Sequence, residues 1–389
     1  MNNKQLPISV PHLIFFTIAR TMFNTMYRMV YPFLGVFQAG LGVTLEQLSI
    51  LMTARASLGA IVPIFASVGD SHGRKTAMLL GCGLFIIGAG LVVLWPTYVM
   101  FCAALLLTMV GKYIFDPSLL AFVGDQVLYH ERGRIMALLE LGWSFSFLFG
   151  VPLVGLIISK NGWMAPFPLF IGLCFLIILG IVKILPSDGM RKIRSQNERH
   201  SVLQVVTSTL ALNGLLIGLS VSAANEVINL VFGVWLENTF QLKIAALGAA
   251  TAVIGVSELV GEFLVATFVD RWGKPRTVFL GILCNSFASI GLPLISHSVY
   301  EAVLGLFFFY ITFEFTLVSS IPLMSELLPQ SRATMLSSTG ASHSLGRAVG
   351  ALLAARLYHF GISANLICSI LLNILAAAAL VNLVRRKTL

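Results

Sequence analysis

Apolar stretches long enough to cross a bilayer follow one another almost from end to end of this chain, separated by short polar breaks. A hydrocarbon core about 30 Å thick takes about 20 apolar residues per spanning helix, so 389 residues allow about twelve spans with their loops. Only 11% of the residues are charged and mean hydropathy is +0.92. A soluble domain carries roughly 25% charged residues, and the shortfall excludes a soluble enzyme. An outer-membrane barrel would show alternation over segments of about 10 residues, which is absent. The reading is an all-α membrane protein of twelve transmembrane helices. They are expected at 11–38, 44–68, 76–95, 97–123, 134–158, 166–185, 203–235, 243–268, 277–296, 301–328, 332–358 and 361–384.

The formal charge of +9 is a topology signal. Seventeen of the 25 Lys and Arg fall at the N-terminus, in alternate connections or at the C-terminus, against Lys160 and Lys243 on the other side. Basic loops stay cytoplasmic. Both termini are therefore expected in the cytoplasm, with the chain retained in a plasma (bacterial inner) membrane. Nucleic-acid binding is not expected. The first apolar run is broken by Arg20 and Arg28 and lacks a small-residue cleavage pattern, so it reads as a retained helix. The five cysteines lie singly in apolar stretches, which argues against disulfides and metal sites.

The longest polar break, 186–202, divides the chain into 1–185 and 203–389, expected to be two six-helix bundles joined by a cytoplasmic linker. The halves repeat. VGDSHGRKT at 68–76 answers VDRWGKPRT at 269–277, with Asp70 and Asp270, and Gly73 and Gly273, 200 apart. GDQVLYHERGR at 124–134 answers SELLPQSRAT at 325–334.

At these residues the chain resembles the major facilitator superfamily of secondary transporters. The family's G-x-L-x-D-x-x-G-R-K signature between the second and third helices is met at Asp70, Gly73, Arg74 and Lys75. Ala66 and Val68 stand where Gly and Leu are usual. The resemblance implies a cytoplasmic gate of Asp70, Gly73, Arg74, Lys75, Asp125 and Arg134, with Asp270 and Arg271 as its second-half copy. The sequence alone also allows a solvated turn obeying the topology rule. GVPLVG at 150–155 only partly resembles the family's antiporter signature.

Twelve ionisable groups lie inside expected spans: Arg20, Arg28, Arg55, Lys112, Asp116, Glu140, Glu226, Glu258, Glu262, Glu314, Arg347 and Arg356. Each costs about 2.5–3.5 kcal/mol at a bilayer centre, or roughly 30–40 kcal/mol if all faced lipid. A fold's net stability is about 5–15 kcal/mol. They must be paired, hydrated or near an interface. With Lys183 counted in the central connection, none falls on the third, sixth, ninth or twelfth helix, as expected if those four face lipid and the rest enclose an aqueous cavity. The candidate substrate and cavity residues are Arg20, Asn24, Arg28, Arg55, Lys112, Asp116, Asn225, Glu226 and Arg347. The arginines either bind an anionic group or neutralise nearby acids. Glu258 and Glu262, at i and i+4, share a helix face and titrate as a pair. With Glu314 they are the candidate proton-coupling residues, or else structural acids paired with Arg347 or Arg356. Gly346 and Gly350 are spaced for close helix packing.

No Walker motif, metal-ligand cluster or catalytic triad is present, so no enzyme activity and no cofactor are expected. The function expected is a monomeric, proton-coupled secondary transporter of a small organic compound working by alternating access. Export is favoured by analogy with compact family members. Its partners would be the substrate, protons and the bilayer. The alternatives are proton symport of an organic anion and a non-transporting receptor on the same fold.

Overall fold

The computed structural model describes residues 9–128, 131–186 and 204–387. The connection expected at 186–202 lies outside them except for Pro186, as do Lys4 and the central basic residues Arg191, Lys192, Arg194 and Arg199. The described residues are an all-helical membrane protein. Ten helices among them are long and apolar enough to span a membrane. The expected spans that fall short are the first and the eleventh, because Arg20 and Arg28 interrupt one and a Ser/Thr/Gly/His/Arg-rich stretch, 337–347, the other.

The helices are α1 (Val10–Arg28), α2 (Leu34–Leu41), α3 (Leu45–Ser57), α4 (Val62–His72), α5 (Arg74–Leu94), α6 (Tyr98–Gln126), α7 (Arg132–Phe145), α8 (Val151–Asn161) and α9 (Pro166–Ile184). They continue as α10 (Thr209–Asn229), α11 (Phe232–Phe240), α12 (Ile244–Trp272), α13 (Lys274–Ile295), α14 (Val299–Met324), α15 (Arg332–Tyr358) and α16 (Ile362–Lys387). Four expected spans are interrupted. The first breaks at 29–33 and the seventh at 230–231. The second narrows to a 3₁₀ turn, Leu58–Ile61, and the fifth widens to a π turn, Ser146–Gly150. Pro152 lacks the amide that would bond the Leu148 carbonyl. The adjoining Val151 amide reaches the Ser146 carbonyl instead, which widens the turn.

The breaks carry the sequence repeat into the backbone. The Met29 amide closes on the Thr25 carbonyl and the Leu230 amide on the Glu226 carbonyl, which sets these helix ends 201 residues apart. Gly73 and Gly273 both adopt positive φ (96° and 83°), where the chain turns between helices with no residue to spare. Gly162 and Gly361 match in the same way (84° and 85°). Thr97 and Ser298 each cap the following helix through the side chain.

Two compact units are resolved among the described residues, 9–30 with 62–128 and 131–186, and 31–61 with 204–387. The first is centred on aromatic rings: Phe23 stacks on Phe115 at 4.4 Å and meets Phe85 edge-on at 4.7 Å. In it α5 and α6 touch backbone to backbone, since a Cβ on Gly81 would sit 2.6 Å from the Gly111 carbonyl oxygen. The second has an aliphatic core including Ile217, Val221, Ile282, Leu323 and Leu380. Its α3 lies along α15, where Ser49 donates to the Ala351 carbonyl and Glu46 pairs with His359.

Candidate functional site

Of the twelve intramembrane charges, Arg20, Arg28, Arg55, Lys112, Glu226, Glu258 and Glu314 are buried. Asp116, Glu262 and Arg347 are partly so, and Glu140 and Arg356 are exposed. Exposed or not, Glu140 is engaged, as the first unit shows.

There Arg20 of α1 forms a two-pronged bond to Glu140 of α7 (Nη1–Oε1 2.9 Å, Nη2–Oε2 3.2 Å), and its Nε lies 3.6 Å from Asp116 of α6. Planar guanidinium suits this fork. Asp116 also takes Lys112, one turn earlier on α6. Two cations and two acids thus close on each other. Close approach of α7 depends on Gly142, where a Cβ would lie 3.0 Å from the Arg20 Cβ and 3.1 Å from the Thr17 carbonyl oxygen. Two turns on, Arg28 sits 3.4 Å above the Phe147 ring and 4.3 Å from that of Trp143, and donates to the Trp143 carbonyl at 3.1 Å. The rings and the π turn replace its hydration. Between the two arginines, Asn24 is wholly buried, and neither atom of its amide finds a hydrogen-bond partner among the described residues.

In the second unit, Glu226 near the end of α10 is 1% exposed. It accepts hydrogen bonds from Tyr31 and from Asn229 (3.2 Å) and lies in the field of Arg347 and Arg55. Asn229 accepts in turn from the Tyr310 hydroxyl at 2.8 Å. Arg55 leans over the Tyr31 ring, its Cζ 5.4 Å from the centroid. Gly350 makes this possible: a Cβ there would lie 2.7 Å from both the Ala223 carbonyl oxygen and the Glu226 Cβ. The close packing expected of Gly346 and Gly350 is thus the α10–α15 crossing, with Gly346 against Leu219. Asn225 is buried and its Oδ1 lacks a partner among the described residues. It stands 201 residues after Asn24, so the two unsatisfied amides occupy equivalent places in the repeat.

The three candidate coupling acids gather in the same unit. Glu258 is buried and Glu262 partly buried on α12, and Gly261 between them receives Glu314 of α14. A Cβ on Gly261 would lie 2.9 Å from the Glu314 Cβ.

The gate residues divide. Asp70 and Arg74, on either side of Gly73, form an ion pair at 2.7 Å. Lys75 donates to the Val182 and Leu185 carbonyls at 3.0 and 2.7 Å, capping the end of α9. Asp125 and Arg134 are exposed at the end of α6 and the start of α7. In the second half Asp270 and Arg271 are exposed, and the cation that opens α13, Lys274, pairs with Glu326.

Sequence reasoning missed His343 and Asn229. His343 on α15 is buried against α10, with Nδ1 2.8 Å from Ser222 Oγ and 3.1 Å from the Gly218 carbonyl oxygen. The polar run SSTGASHS within a span was the available signal.

Bilayer-length helices, a twofold internal repeat and ionisable side chains held inside the bundles define a polytopic membrane carrier. The sequence profile of the Major Facilitator Superfamily matches residues 14–351 and 210–388, and the chain belongs to that family of transporters. It is 24% identical to the uncharacterised MFS-type transporter YceJ of Bacillus subtilis over 344 residues, 86% of each chain. It is 22% identical over 274 residues to the multi-drug resistance efflux pump PmrA homologue of Lactococcus lactis, 67% of this chain and 66% of that one. Its fold is similar to a bacterial homologue of the human lysosomal transporter Spinster in an inward-facing, occupied conformation (TM-score 0.77, 15% identity, 96% of each chain). It is also similar to a POT family transporter in complex with a thioalcohol-conjugated peptide (TM-score 0.76, 13% identity, 97% of this chain and 95% of that one).

Proposed function

We propose that this chain is a monomeric, proton-coupled transporter that exports a small organic compound across the bacterial plasma membrane by alternating access, with both termini cytoplasmic. The halves 1–185 and 203–389 are its repeating parts and 186–202 the link between them. Asp70 with Arg74, supported by Gly73, Lys75, Asp125 and Arg134, forms its cytoplasmic gate, and Asp270 with Arg271 the second-half copy.

The observation that supports the coupling is the packing of Glu314 of α14 against Gly261 of α12, the helix that also carries Glu258 and Glu262. Removing an acid from bulk water favours its neutral form, which makes acids held inside a bundle suited to carrying protons through a transport cycle. Export is supported by the similarity to the efflux pump homologue. Symport of an organic anion draws less support, because Arg20 already holds Glu140 and Asp116 and Arg28 lies against two rings. Asn24 in the first unit and Asn225 in the second each keep an unsatisfied amide oxygen, which suits a neutral or cationic substrate better than an anion.

A thermal-shift ligand screen across pH identifies the compound. Transport into proteoliposomes under an imposed pH gradient then tests the coupling. Glu258→Gln, Glu262→Gln and Glu314→Gln should each weaken the gradient dependence. Full dependence in all three variants refutes the assignment.

A further inference from the structure

We propose that the outer face of the second unit carries a binding site for an anionic phospholipid, in the groove formed by the end of α12, the first half of α13 and the end of α16. The groove has a volume of about 760 Å³. Arg271, Arg276 and Arg385 stand along it, one from each of the three helices, and no acidic residue lines it. The rest of the wall is apolar or aromatic, with Trp272, Phe279 and Leu283 all substantially exposed.

Each half of this pattern asks for a different part of one molecule. Exposed apolar walls at bilayer depth accept acyl chains without cost. They do not explain three arginines converging from separate helices on one opening. Guanidinium groups match phosphate oxygens in geometry and charge, and basic pockets between spanning helices on the cytoplasmic side suit anionic lipid headgroups. Trp272 adds an indole of the kind that settles at headgroup level. Among the described residues Arg271 and Arg276 take part in no ion pair, so their charge is available to a ligand. By contrast Lys274, in the same connection, is already held by Glu326. A soluble anion would need the arginines alone. The apolar wall running on from them along α13 and α16 favours a lipid.

The full chain is reconstituted in phosphatidylcholine vesicles doped with brominated phosphatidylglycerol or brominated phosphatidylcholine. Bromine quenching assigned to Trp272 is the emission difference between the wild type and Trp272→Phe. Phosphatidylglycerol should quench Trp272 several-fold more than phosphatidylcholine at equal mole fraction. The Arg276→Gln/Arg385→Gln double variant, which leaves the gate arginine Arg271 in place, should abolish the preference with its melting temperature unchanged. Equal quenching by the two lipids overturns the proposal. So does a preference that survives the double substitution, and so does loss of the preference on adding millimolar inorganic phosphate, which would mark a site for a free anion.

Discussion

Glu226 is the acid whose surroundings most sharply define an outcome. Glutamine in its place keeps the volume and can still accept from Tyr31 and Asn229, so the substitution removes charge alone. Arg55, 2% exposed, and Arg347 would then face a neutral amide. Breaking a buried ion pair by removing one partner costs about 3–5 kcal/mol. The lower figure is a ceiling here, because Arg347 and Arg55 act on Glu226 through their field, burial of the carboxylate opposes that gain, Arg347 is only partly buried and the hydrogen bonds persist. At roughly 2–4 °C per kcal/mol, Glu226→Gln should lower the melting temperature by up to about 6–12 °C. Arg347→Gln should cost somewhat less, since Arg55 still faces the carboxylate. Denaturant titration of tryptophan emission in mixed micelles gives both costs and that of the double variant. If the charges of Glu226 and Arg347 interact, the double variant loses at least about 1 kcal/mol less than the sum. Additivity within about 0.5 kcal/mol, or a Glu226→Gln protein melting with the wild type, refutes the reasoning.

Gly350→Ala drives a Cβ against the Ala223 carbonyl and should destabilise by about 1–3 kcal/mol, whereas Gly90→Ala, with nothing within 4 Å, should be neutral or slightly stabilising when both are melted side by side. Asp70→Asn removes an ion pair whose carboxylate is 57% exposed, so the melting temperature should barely move. Proteoliposome transport should nevertheless fall at least about fivefold if the pair biases the conformational equilibrium. Tyr310→Phe strips a hydrogen bond from the buried Asn229 and should cost about 1–3 kcal/mol by the same denaturant titration.

Hydropathy, charge and motif spacing by themselves determined the membrane class, ten of the spans, the repeat and most of the buried charges. Each follows from one dimension: apolar length against bilayer thickness, or the spacing of a motif. Asp70 and Arg74 were legible as members of one motif, and their ion pair is local because both flank one turn. The partners of the other charges were not. Arg20 meets Glu140 120 residues away, and Arg28 settles over Phe147 of another helix. Periodicity tells which face of a helix a side chain occupies. It does not tell which helix lies opposite, because that depends on where backbones approach closely, at Gly142, Gly261 and Gly350. Only tertiary packing decided that Glu314 would pack against Gly261, on the helix that carries Glu258 and Glu262, that His343 would be buried against α10, and that Asn24 and Asn225 would be left with amide atoms to satisfy.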